Sequence, residues 1–169
     1  YISAELSHSE KMFNAIKDII DNNNINFDDI KQLVYCSGPG SFTGLRISYS
    51  AIKGFFVAKG IQHKGVSTLK ALVKSYEGDT KDKIICAVIK SGKEDVFAYA
   101  ELNGKELIKE ACYPVQDIIK EKNFLCVGDA PFCKELKVSA KGMLSVLEEA
   151  PLDGINYLKA SYAEKRRTS

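Results

Sequence analysis

Three features of this sequence predict an α/β fold. A short apolar run, Leu33-Val34-Tyr35-Cys36, leads through a glycine-rich turn into a helical pattern. A second strand-like run over 61–66 leads into another helix, capped by Ser67. Beyond a polar stretch, 77–83, two β-runs at 84–89 and 95–101 precede Asn103-Gly104, a strong two-residue hairpin signal. Strands alternating with helices, followed by a hairpin-rich segment, define a mixed α/β architecture.

The elements follow in order. Ser7 and Glu10 form a capping box, and the helix after it, over 8–21, sets Met12, Phe13, Ile16, Ile19 and Ile20 on one face. Asn22-Asn23-Asn24 is a poor helical run and ends it. The helix after the glycine-rich turn carries Leu45, Ile47, Ala51, Ile52, Phe55, Phe56 and Ala58 as its apolar set, and Gly60 stops it. The helix behind Ser67 is expected through Val73. The strand after Asn103-Gly104 should return through about residue 111, and Pro114 starts a helix containing Val115, Ile118 and Ile119. A strand over 124–129 ends in a turn, and Pro131 is expected to open a short helix, for which Asp129 is equally a cap or a phosphate or ribose contact. The polar link divides the chain into a first lobe, 1–76, and a second lobe with a tail, 77–169.

Composition sets the class. With 169 residues, 45% hydrophobic and 27% charged, the chain can bury a real core. Net charge is +2, and neither lobe is a basic platform: residues 1–76 carry nine basic and six acidic groups, the remainder fifteen and sixteen. A protein that held nucleic acid alone would concentrate its basic footprint, so nucleic acid is at most a shared ligand. Five cysteines, at 36, 86, 112, 126 and 133, lack CxxC spacing and read as buried free thiols of a reducing, cytoplasmic compartment. No apolar run approaches the roughly 20 residues of a membrane span.

The most informative stretch is Gly38-Pro39-Gly40-Ser41-Phe42-Thr43-Gly44, with Leu45-Arg46 behind it. A strand, a glycine-rich turn and a helix N-terminus can present backbone N–H groups to an anion. The spacing is neither that of a Walker A loop nor of a dinucleotide fingerprint. It is equally the spacing of a tight connection that binds nothing.

The literal string Gly-Pro-Gly-Ser-Phe-Thr-Gly-Leu-Arg resembles the signature of the bacterial TsaB family, formerly described as glycoprotease-like. Ser7-His8-Ser9-Glu10, Gly65-Val66-Ser67-Thr68-Leu69 and the segment from Tyr157 to Lys165 are similar to further family patterns. The resemblance implies an actin/Hsp70/sugar-kinase (ASKHA) fold in two lobes. It also implies a cytoplasmic, non-catalytic scaffold in the machinery that makes threonylcarbamoyladenosine in tRNA. Such a subunit docks on a metal-bearing catalytic paralogue (TsaD type), with an ATPase subunit (TsaE type), or pairs with itself when alone. Nucleotide, ATP or ADP, is expected only at the joint with the catalytic partner, no cofactor in this subunit, and tRNA only within the complex.

On that reading Gly38, Pro39, Gly40, Ser41, Phe42, Thr43, Gly44 and Arg46 shape the joint, and His8, Met12, Phe13, Ile16, Ile20 and Phe55 are the candidate association surface. There are departures. The family's opening two-stranded hairpin is not matched, and two strands with turns would need roughly 15–30 residues. Lys90-Ser91-Gly92 replaces an Asp-Ala-Arg-like segment, and Lys159 stands where arginine is usual and cannot repeat a bidentate contact.

Catalytic readings are weaker. The two histidines, His8 and His63, do not form the His-x-x-x-His pair by which catalytic relatives hold a metal, so no metal ligands are expected. Ser41 follows Gly40 directly, so G-x-S-x-G is not met, and a serine without a base is inert. A peptidase is therefore the less favoured alternative. A small ATPase or phosphotransferase of the same fold is the other, with Gly128-Asp129 as a possible phosphate or ribose contact. The basic tail Lys165-Arg166-Arg167 is either a solvated end or a minor phosphate contact.

Overall fold

The computed structural model describes residues 8–55, 60–147 and 154–158. The expected strand at the start, Ser7 of the capping box, Phe56 and Ala58, and the tail from Lys159 on, with its basic cluster, lie outside these residues, as do the side chains of His8 and Phe55.

The first lobe contains α1 (His8–Asn22), β1 (Gln32–Gly38), α2 (Phe42–Phe55) and β2 (Gln62–Ser67). β1 and β2 pair in parallel, Gln32 opposite Gln62 through Cys36 opposite Val66, and the register slips between Cys36 and Gly38. α1 ends where the sequence predicts, with Asn24 in the left-handed region and Asn23 Nδ2 donating to the Ile19 carbonyl at 2.8 Å. Among the α1 residues whose burial is described none is fully buried, and Ile19 is 59% exposed.

The second sheet has the order β5-β4-β3-β6-β7, formed by β3 (Ile84–Lys90), β4 (Asp95–Leu102), β5 (Lys105–Pro114), β6 (Phe124–Gly128) and β7 (Lys134–Glu135). β3, β4 and β5 are antiparallel neighbours, and β6 lies parallel to β3. The hairpin turns at Asn103-Gly104, both with positive φ, as a type I′ turn requires. Period-two alternation gives this sheet two apolar faces. Ile85, Ala87, Phe97, Tyr99 and Val127 face α3 (Thr68–Lys74) and pack with its Leu69, Leu72 and Val73. Cys86, Val88, Val96, Ala98 and Ala100 face α4 (Val115–Ile119), whose Ile118 is 2% exposed.

Helix α3 joins the two halves, since it packs on both sheets and on α5 (Ala140–Ser145). Ser67 Oγ caps it by accepting from the Lys70 N–H at 3.2 Å. At its other end Ser75 Oγ donates to the Ala71 carbonyl at 2.7 Å and accepts from the Ser139 N–H at 2.8 Å, while Ser139 caps α5. Gly142 is buried there, and no larger residue fits, because a Cβ would collide with Ser75 Oγ and the Ala71 carbonyl. Leu69, fully buried, makes Leu69→Ala a cavity mutation costing about 2–5 kcal/mol.

One expected element is replaced. Pro131 opens no helix: the Cys133 N–H closes a turn on the Ala130 carbonyl at 2.9 Å, and β7 then pairs with Val127 and Gly128 of β6. Sheet pairing overrides the local helix signal. Asp129 accordingly does not cap a helix; its Oδ1 accepts from the Lys90 N–H at 2.7 Å and closes the end of β3. No helix among the described residues is long and apolar enough to cross a membrane.

Candidate functional site

The signature turn is built from β1 outward. Ser37, 1% exposed, donates from Oγ to the Val66 carbonyl at 3.0 Å, which fixes the end of β1 against β2. Gly38 takes a φ of +127°, and a Cβ there would sit 2.5 Å from the Asn156 carbonyl oxygen. Only glycine fits both the conformation and the space. The Gly38-Pro39 bond is cis, and Pro39 is buried.

From Pro39 the chain rises to the surface. Ser41, Phe42, Thr43 and Arg46 are exposed, and Gly40 and Gly44 are half-buried. Ser41 is the cap of α2: its Oγ accepts from the Gly44 N–H at 3.3 Å, and its carbonyl accepts from Leu45 at 2.9 Å. Thr43 lies inside the helix. The Arg46 guanidinium lies 4.5 Å from the centre of the Phe42 ring, a cation–π contact.

A segment remote in sequence completes the site. The Asn156 N–H donates to the Ser37 carbonyl at 2.8 Å. Tyr35, 6% exposed, reaches the same segment, its hydroxyl accepting from the Gly154 N–H at 3.1 Å and donating to the Gly154 carbonyl at 3.3 Å. Residues 154–158 thus strap the end of β1, and Tyr157 is carried to within 5.2 Å of the Phe42 ring. Phe42 and Tyr157 remain 41% and 46% exposed, and with Arg46 they form an aromatic and cationic corner of the composition that docking surfaces favour. Behind it, Tyr35 packs at a tilt against Tyr49, with ring centres 5.8 Å apart, and stacks with His63 of β2 at 6.4 Å.

The candidate association residues Met12, Phe13, Ile16 and Ile20 are all half-buried on α1, which packs on α2. They and the signature corner therefore belong to neighbouring elements of the first lobe. Sequence patterning located α1 and the turn, whereas the strap from Gly154 to Tyr157 came only with the fold. Its one local signal was Tyr157 in a family-like segment.

Two titratable groups near the turn are shifted. Burial pushes the Cys36 thiol up, against a hydrogen bond with Thr68 that acts the other way. Burial likewise raises the Glu110 carboxyl on β5, opposed by Ser67 and Lys70. Among the described residues no group of three or more His, Cys, Asp or Glu is disposed to hold a metal ion.

This architecture is shared with solved structures. One, described as an uncharacterized protein with similarity to peptidase YEAZ from Pseudomonas aeruginosa, superposes with a TM-score of 0.74 at 18% identity, over 90% of this chain and 85% of that one. A second, YeaZ from Pseudomonas aeruginosa, gives 0.67 at 18% identity, over 82% and 76%. The fold is the actin-like α/β fold expected from the signature.

The chain belongs to the family described as "TsaD: tRNA N6-adenosine threonylcarbamoyltransferase", whose model matches residues 3–147. The curated proteins that it is similar to are TsaB proteins, as the signature predicts. The tRNA threonylcarbamoyladenosine biosynthesis protein TsaB of Escherichia coli K12 is 33% identical over 67 residues, 40% of this chain and 29% of that protein. The TsaB of Buchnera aphidicola from Schizaphis graminum is 33% identical over 82 residues, 48% and 39% respectively. The chain thus aligns with about a third of the length of these curated relatives.

Proposed function

We propose that this chain is a non-catalytic, TsaB-type subunit of the machinery that makes threonylcarbamoyladenosine in tRNA, and that it docks on a TsaD-type catalytic paralogue. The observation that carries the reading is how the signature residues are used. Ser41 caps α2, Gly38 lies against Asn156 of the strap, and the exposed side chains include Phe42 and Arg46 with Tyr157 beside them. That corner is suited to a protein partner rather than to bond cleavage. The α1 stripe of Met12, Phe13, Ile16 and Ile20 adds a second half-exposed apolar strip on the same lobe. The curated TsaB relatives, named for threonylcarbamoyladenosine biosynthesis, supply the reaction.

The test is nucleoside mass spectrometry on tRNA from cells depleted of this protein. Loss of threonylcarbamoyladenosine, restored by the wild-type chain and not by a Phe42→Ala, Arg46→Ala double variant of normal stability, is the expected result. Undiminished modification at full depletion would refute the assignment to this pathway. Restoration by the double variant would refute the docking role of the signature corner while leaving the pathway in place.

A further inference from the structure

Three of the five cysteines, 40 and 7 residues apart in sequence, meet in one place. β3 and β6 run parallel, and their register puts Cys86 directly opposite Cys126. Register partners on neighbouring strands project to the same face, roughly 4.8 Å apart. Both therefore enter the layer under α4, beside Val88, Ala98 and Ile118. The turn after β6 brings Cys133 back into the same cluster.

The three thiols are not equivalent. Cys126 stands between the others, opposite Cys86 in the strand register and in the same cluster as Cys133, while the Cys86 S–H donates to the Ala87 carbonyl at 4.0 Å. The neighbouring thiols, Cys133 foremost and then Cys86, hold the Cys126 pKa well below the ordinary thiol range, against burial, which acts the other way. The side-chain interaction with Cys126 raises both Cys86 and Cys133, burial adds to it, and Asp129 contributes further at Cys133. Exposure separates them again: Cys86 is fully buried in a paired ladder, whereas Cys126 and Cys133 are half-buried. Cys133 lies on the turn just before the two-residue β7, where the backbone can adjust to disulfide geometry more easily than in mid-strand. The sulfurs do not surround a cation position, so shared metal binding does not account for the cluster.

We propose that Cys126 is a peroxide-reactive nucleophile and that Cys133 resolves it into a reversible Cys126–Cys133 disulfide. In the first step the Cys126 sulfur attacks one oxygen of hydrogen peroxide. An S–O bond forms, the O–O bond breaks, and the departing hydroxide takes up a proton as water. Cys126 is thereby oxidised by two electrons to the sulfenic acid, and the peroxide is reduced. In the second, the Cys133 sulfur displaces the sulfenic oxygen. The S–S bond forms as the S–O bond breaks, and the Cys133 proton leaves with that oxygen as a second water. A small thiol reverses the bond by thiol–disulfide exchange. Cys86, fully buried in the ladder, stays reduced.

The full chain allows a direct reading because tryptic cleavage leaves Cys126 and Cys133 on one peptide and each other cysteine on its own. Residues 123–134 carry Cys126 and Cys133, residues 84–90 Cys86, residues 110–120 Cys112 and residues 32–46 Cys36. After a brief exposure to hydrogen peroxide and an alkylating quench, peptide 123–134 is expected about 2 Da lighter and unalkylated, with the other three alkylated, and dithiothreitol should reverse this. In Cys133→Ser the same treatment should leave Cys126 as a sulfenic acid that dimedone labels. On the untreated folded protein at pH 6, Cys126 should react with iodoacetamide at least about tenfold faster than Cys112. The proposal is overturned if Cys126 reacts no faster than Cys112, if peptide 123–134 oxidises only after unfolding, or if peroxide joins it to peptide 84–90 instead.

Discussion

The Asn156 N–H donates to the carbonyl of Ser37 at 2.8 Å, joining residues 119 positions apart at the point where β1 turns into the signature loop. The signature is therefore not a self-contained turn. Its entry is held by a segment remote in sequence, which leaves no room for a side chain at Gly38. Gly38→Ala would place a Cβ 2.5 Å from the Asn156 carbonyl oxygen in a backbone conformation that side chains avoid. We expect a loss of about 2–4 kcal/mol, read as a lower urea midpoint at unchanged slope. Gly40→Ala, whose Cβ would meet only the Leu45 side chain at 3.9 Å, should be close to neutral.

Tyr35 tests the strap without touching the turn. Its hydroxyl both donates to and accepts from Gly154. Tyr35→Phe keeps the ring against Tyr49 and His63 and leaves the Gly154 N–H and carbonyl without that partner. A cost of about 1–2 kcal/mol is expected. Hydrogen exchange at the Asn156 amide should accelerate well beyond that of the Val66–Leu72 core. Uniform acceleration across both lobes would mean that the strap does not open on its own.

α1 offers the association test. Met12 is half-buried on a helix whose described side chains are nowhere fully buried. Met12→Glu should therefore change the melting temperature by only a few degrees, because it removes little apolar area from the core. The same substitution places a charge within an apolar interface, and association with a TsaD-type partner, or of the chain with itself, should fall by at least about 100-fold. Co-purification together with light scattering measures both. Unchanged association would remove α1 from the docking surface.

Most of the fold is legible locally, and the reasons are visible in particular residues. Asn103-Gly104 specified its hairpin because a type I′ turn needs two positive φ values, and both occur. Ser67 and Pro114 marked the starts of α3 and α4 because helix starts obey short-range rules. What the sequence did not reveal is long-range. The strap on β1, the Cys86–Cys126 register and the Lys90–Asp129 bond each join residues at least 39 apart. No periodicity encodes such pairings. The helix expected at Pro131 failed for the same reason, since a parallel pairing with β6 took residues whose local signals favoured a turn of helix.

A charged pair under the hairpin gives a further prediction. Lys74 Nζ lies 2.7 Å from Glu101 Oε1, and the Tyr99 hydroxyl donates to Oε2 at 3.1 Å. Glu101 is 8% exposed and Lys74 is partly open to solvent, in a cleft of about 290 Å³ shared with Tyr76, Thr80 and Lys83. Lys74→Met would strand a buried carboxylate and should cost about 1–3 kcal/mol, the exposure of the lysine keeping it below a fully buried pair. Adding Glu101→Gln should recover part of that loss, because the neutral amide can still accept from Tyr99. Additive losses in the double variant would show that the pair is not coupled.

Glu110 predicts a stabilising substitution. One carboxylate oxygen, Oε1, is buried without a hydrogen-bond partner among the described residues. Burial raises the pKa in the folded state, with Ser67 and Lys70 only partly opposing it. The native state therefore holds this proton more tightly than the unfolded chain, whose glutamate titrates near about 4.3. Between that value and the raised one the native state carries the extra proton, so stability falls as pH rises through the window. Above it the protein bears the full cost of a half-buried charge. Glu110→Gln keeps an acceptor for Ser67 and removes the charge. It should melt higher than the wild type at pH 7, by roughly 2–4 °C for each kcal/mol recovered at this size. The advantage should shrink steadily towards pH 4, where the wild-type carboxyl is itself neutral. A variant less stable than wild type at pH 7, with the gap closing in acid, would show instead that Ser67 and Lys70 outweigh burial and hold Glu110 as a stabilising anion.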